Sequence, residues 1–204
     1  MSRIPACCAL GRLTLLLVLA GCSTDQASLG DAPTIPVASE TSLREVSDRS
    51  STPSDEPIEK RFKGISLTIP AGWQERPPAS EFVQAEFALD GPGGPARLTL
   101  SSAGGGIEAN LERWRGQLTP GPNDPPPQQS TVSVDGREAV VLELTGEFRD
   151  QFSGGVPQAD WSLLGAIIPT GPANFFLKLT GPRETVTAHR QAFRRVVETA
   201  RLDD

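Results

Sequence analysis

All three cysteines of this chain, Cys7, Cys8 and Cys22, fall at its beginning, ahead of any sequence able to form a core. The rest of the chain therefore has no thiol for a disulfide, a thiolate metal site or a cysteine nucleophile. Whatever folds downstream stands on apolar packing alone. The stretch from about Pro57 to Asp204 is long enough to supply one ordinary domain core.

The setting of Cys22 accounts for the N-terminus. Arg3 and Arg12 precede an apolar run from Leu13 that closes in Leu19-Ala20-Gly21-Cys22. A spanning helix needs about 20 apolar residues, so this core is too short for a permanent membrane segment. It has the parts of an export signal. Leu19, Ala20 and Gly21 before Cys22 resemble the lipobox at which a bacterial signal peptidase cuts ahead of a lipid-bearing cysteine. The expected organisation is a lipoprotein signal peptide over 1–21, a lipidated Cys22 with a disordered tether over 22–57, and a folded domain over 58–204. Several acyl chains such as palmitate hold a protein lastingly where one does not. The expected location is the bacterial envelope, lipid-anchored and facing the periplasm. Ser23 in place of Asp favours the outer membrane over the inner.

Between Ser23 and about Glu56 the sequence is rich in Ser, Thr, Asp, Glu and Pro and has no aromatic residue. Such composition buries too little apolar surface to offset the entropy of ordering. As a coil of about 35 residues it spans roughly 30–35 Å. Formal charge is −6, and loss of Arg3 and Arg12 with the leader takes it to −8. That acidity argues against nucleic acid as a partner.

Within the domain, hydrophobic period assigns the elements. Ile65, Leu67 and Ile69 alternate with Ser66 and Thr68 in a strand opening near Arg61, and Pro70-Ala71-Gly72-Trp73 ends it. Strands are expected over 82–89 and 96–101. Ile107, Leu111, Trp114 and Leu118 then share one helical stripe. After a proline-rich loop, 131–134 and 137–145 form a hairpin on Asp135-Gly136. The segment 161–168 is apolar on both faces, as in a strand covered above and below. A strand over 174–180 leads through Gly181-Pro182 into a last helix reaching about Ala200. The class is α+β: an α/β/α sandwich with one twisted, mainly antiparallel sheet of about six or seven strands, against which a mid-chain helix and a C-terminal helix pack.

Three segments carry a resemblance. They are Ile69-Pro70-Ala71-Gly72-Trp73, the Gly104-Gly105-Gly106 turn before a helix with Asn110 and Arg113-Trp114, and Phe175-Phe176-Leu177-Lys178-Leu179-Thr180-Gly181-Pro182. Together they resemble uncharacterised bacterial lipoproteins with the PsbP-like fold, which the photosystem II extrinsic subunit shares with a Ran-binding import factor. The resemblance spans about Phe62 to Leu202 and implies the sandwich. It transfers no binding residue, because the relatives bind unlike partners.

Candidate chemistry is sparse. Gly104 to Gly106 lack the Lys-Ser/Thr of a phosphate loop and read as a helix entry turn. His189 is the sole imidazole and lies on the apolar stripe of the last helix, which suits a packed or rim histidine. Glu138, Glu143, Glu147 and Asp150 gather around one strand end. Glu143 and Thr145, opposite Leu142 and Leu144, are placed to line an exposed groove. Trp73, on a turn, is the tryptophan to look for at the surface, while Trp114 and Trp161 suit the core. Trp73 and Glu143 are thus the candidate binding surface. No catalytic residue, metal ligand or cofactor is expected. The function that follows is a membrane-anchored envelope lipoprotein with a non-catalytic binding or scaffolding domain, whose partners are the membrane, through its lipid, and an envelope protein. The alternatives are a hydrolase or transferase using surface carboxylates, and a small-ligand or cation carrier.

Overall fold

The computed structural model of the chain describes residues 52–149, 155–171 and 173–203. The leader, the lipobox residues Leu19, Ala20, Gly21 and Cys22, most of the expected tether, and Asp150 lie outside them. Among the described residues, eleven strands and two helices occur in the order β1 (Ile58–Phe62), β2 (Ile65–Ile69), β3 (Gln74–Arg76), β4 (Ala85–Leu89), β5 (Ala96–Ala103), α1 (Ile107–Arg115), β6 (Leu118–Thr119), β7 (Gln128–Val134), β8 (Arg137–Phe148), β9 (Gln158–Pro169), β10 (Asn174–Pro182), α2 (Arg183–Glu198) and β11 (Arg201–Leu202).

The main sheet has eight strands in the order β3-β4-β5-β10-β9-β8-β6, with β7 also pairing β8. Every pairing in it is antiparallel. The class is α+β, with the mid-chain and C-terminal helices expected from the periodicity. A smaller sheet, β1-β2-β11, stands apart from it. The strand expected to open near Arg61 is in fact a hairpin: Phe62 pairs Ile65 across the two-residue turn Lys63-Gly64. Ile65, Leu67 and Ile69 are buried as the alternation requires, and Ser66 is buried too because β1 and β11 flank its strand.

Two clusters fill the two faces of the main sheet. On one, Phe87, Leu98, Leu100, Leu164, Phe175 and Leu177 meet Val186, Phe193, Val196 and Val197 of α2 and Ile65, Leu67 and Ile69 of β2. On the other, Leu111 and Trp114 of α1 cover Leu142, Leu144, Leu163, Ile167 and Phe176. Strand β9 feeds both clusters by turns, which is why its sequence is apolar throughout. Trp114 meets Phe176 edge-on at 6.0 Å between centroids. It can sink that far because β9 carries glycine at 165, where a Cβ would overlap the indole ring. The Asp135-Gly136 turn has both residues at positive φ, 48° and 80°, the backbone of a two-residue hairpin loop whose twist matches the strands. Asp135 Oδ2 also accepts the amide of Leu202, so one turn residue tethers β11.

Strand 82–89 is shorter than its alternation suggests. It starts at Ala85, and Phe82 stands 78% exposed on the preceding loop. Helix α1 likewise ends at Arg115 with Gly116 at its C-cap, freeing Leu118 to pair β8 instead of continuing the stripe.

A proline-walled cleft as the candidate interaction surface

Of the two residues expected at the surface, Trp73 is buried and Glu143 is partly exposed on β8. Trp73 is only 5% exposed and belongs to the core beside α2, so its ring is no platform for a ligand. A turn position exposes its backbone, but here the large apolar ring folds back under the helix. Its indole N–H donates to His189 Nδ1 at 3.3 Å. Glu143 faces α2 and is only partly exposed. Arg190 of α2 pairs with Glu143. Thr145 is buried, with its hydroxyl 3.1 Å from that of Ser162 on β9. The remaining carboxylates disperse: Glu147 pairs with its neighbour Arg149, and Glu138 is exposed on β8. Among the described residues, no three His, Cys, Asp or Glu side chains gather closely enough to hold a metal ion. Gly104 to Gly106 serve the fold: the Asn110 amide donates to the Gly106 carbonyl, and that of Asn174 donates to Gly105.

What the sequence did not single out is a cleft at the sheet edge. Strands β6 and β7 both pair β8, the first at Glu147 and Phe148 and the second up to Glu143, leaving Leu144, Thr145 and Gly146 between them. The chain crossing this gap is the proline-rich loop 120–127. It encloses a cleft of about 200 Å³ lined by Arg115, Leu118, Pro120, Pro125, Pro127, Leu144 and Thr145. The signal for it was the proline run itself, whose partner strand only the pairing reveals.

The loop is held at one point. Asp124 Oδ2 accepts the Gly121 amide at 2.7 Å, and its other oxygen pairs with Arg183 at the start of α2. These two contacts, the Gly121 amide first, hold the Asp124 carboxyl below its ordinary range. Arg183 Nε also lies 2.7 Å from Asp160 Oδ1, so one guanidinium ties the loop, the helix and the entry to β9 together. At the rim, Arg115 bonds Glu108, Glu112 and Gln129. The Glu108 bond chiefly raises its pKa above the ordinary arginine value. Arg115 therefore keeps its charge at any ordinary pH.

No family model matches the sequence, and no curated protein matches it. Solved structures do resemble it. One is the cyanobacterial PsbP of Synechocystis, at 13% identity over 75% of this chain and 95% of that one, TM-score 0.47. Another is LpqN, described as involved in cell envelope biogenesis of Mycobacterium tuberculosis, at 19% identity over 83% of this chain and 99% of that one, TM-score 0.41. A Bacteroides thetaiotaomicron protein shares 15% identity over 74% of this chain, TM-score 0.44, and the chain spans about half of its length, 49%. At these identities the likeness concerns the course of the chain alone.

Proposed function

We propose that this protein is a lipid-anchored envelope component whose domain binds another envelope protein without catalysis. The observation that carries the reading is the chemistry of the cleft. Its walls are proline and leucine, its hydroxyl at Thr145 faces Ser162, and its single ionisable lining residue, Arg115, neither takes up nor releases a proton near neutral pH. A surface so built makes contact and does not move protons. Its size argues for a partner's side chain over a carried ligand, since pockets that enclose drug-sized molecules run to about 300–1,000 Å³. The carboxylate enzyme has no such support, because Glu143 and Glu147 are each engaged by an arginine.

The anchored setting is supported by the sequence around Cys22, and among the described residues no helix is long and apolar enough to cross a membrane. The test is photo-crosslinking in living cells with a benzophenone amino acid at Pro125, and at exposed Glu138 as the control. We expect one envelope protein captured reproducibly from position 125 and not from 138. Capture of none from 125, with the protein present at normal level in the membrane fraction, would contradict the proposal.

A further inference from the structure

The single histidine of the chain uses both ring nitrogens. Its Nδ1 lies 3.3 Å from the Trp73 indole nitrogen and its Nε2 lies 2.9 Å from the Asp90 carbonyl oxygen. An indole N–H only donates, and a carbonyl only accepts. Both bonds form together in one state alone: the neutral ring with its proton on Nε2, donating to Asp90 and accepting from Trp73.

A second proton on the ring has an unequal effect. It settles on Nδ1 and sets an N–H against the indole N–H, while the bond from Nε2 to Asp90 survives. Trp73, 5% exposed, is then left with a buried donor and no acceptor. The loop beginning at Asp90 is in any case held by Thr185, which donates to the Gly94 carbonyl at 2.7 Å and accepts the Gly93 amide at 3.2 Å. Among the described residues the turn containing Trp73 makes no second hydrogen bond to α2, and its other hold is the packing of the Trp73 ring in the core cluster. It carries something of its own, since the Gly72 amide donates to the Ser54 carbonyl at 2.9 Å and so fixes the first described segment of the chain.

We propose that His189 is a proton-operated latch: neutral, it fastens the Pro70–Trp73 turn, and the Ser54 segment bound to it, to α2; protonated, it loosens that turn, still packed by its indole ring, and keeps the Asp90 loop. Few charged groups surround it. On α2 the residues three and four positions away are Thr185, Val186, Ala192 and Phe193, all uncharged; Arg190 is engaged by Glu143, and Glu184 and Arg194 lie five positions off. On the next strand Gln74 is neutral, and Glu75 pairs with Lys60. From the β4–β5 loop the one charge is the exposed Asp90 carboxylate, which favours an imidazolium.

One imidazole gives one pair of ring nitrogen signals, and loss of one indole signal in Trp73→Phe picks out Trp73 among the three tryptophans. The full chain, labelled with ¹⁵N at histidine, tryptophan and glycine, is titrated by NMR from about pH 8 to pH 5, the interval in which imidazoles change charge. We expect the Nε2–H tautomer at pH 8, an indole N–H signal of Trp73 moving with the same midpoint as the ring, and Gly72 amide exchange, corrected for its intrinsic pH dependence, faster by about fivefold at the acid end. Gly93 exchange should not follow. Trp73→Phe keeps a packed ring without the opposing donor, and should remove the pH dependence at Gly72. An Nδ1–H tautomer at pH 8, an indole signal indifferent to the titration, or a pH dependence at Gly72 that persists in Trp73→Phe would overturn the latch.

Discussion

A methyl group at position 165 would overlap the Trp114 ring, the largest side chain that α1 contributes to its face of the sheet. Overpacking of this kind costs about 1–3 kcal/mol. Gly165→Ala is therefore expected to lower unfolding stability by that amount in denaturant titration, with a red-shifted tryptophan emission as Trp114 is pushed toward water. Single residues also mark where sequence reasoning stops. Periodicity placed Trp114 inward correctly, because a helical stripe states its own buried face. Trp73 lay on no periodic element, so only the position of α2 above the turn determines that its ring is covered. The same holds for Glu143: alternation put it opposite Leu142 correctly, but whether that face meets water depends on α2, more than forty positions later in the chain. Its pair with Arg190, partly exposed on both sides, contributes at most about 1 kcal/mol.

At the scale of elements, the loop 120–127 depends on the ionised form of Asp124. The Gly121 amide and Arg183 depress its folded pKa below the value of the unfolded chain. Stability from this contact is present above the unfolded pKa, near the ordinary 3.8, and is lost as pH falls through the folded value. Thermal melts between about pH 6 and pH 2 should show part of the acid loss of stability disappear in Asp124→Asn, which cannot ionise. An acid limb identical in the two proteins would contradict this account of the loop. Strands β5 and β8 and both helices were legible because each carries a period, and β9 and β10 because each is an apolar run bounded by turn residues. The short ones were not. Strands β3, β6 and β11 are two or three residues long and owe their conformation to their partners. The β1–β2 hairpin was hidden because Phe62 and Ile65 flank a turn of Lys63-Gly64 inside what reads as one alternating run.

For the molecule as a whole, absence of thiols after Cys22 and strong periodicity combine in one result: an eight-stranded antiparallel sheet with an apolar cluster on each face, stabilised by packing without covalent staples. The smaller sheet β1-β2-β11 and the cleft were beyond the sequence for a shared reason, since both arise where distant segments meet. The functional reading depends on where this domain is held, and that rests on Cys22. Intact-mass spectrometry of the protein extracted from its native membranes tests it most directly. The account predicts a chain beginning at Cys22 and heavier than its sequence by the mass of a diacylglyceryl group, with or without a further acyl chain. An unmodified cysteine, or a chain still carrying residues 1–21, would contradict it.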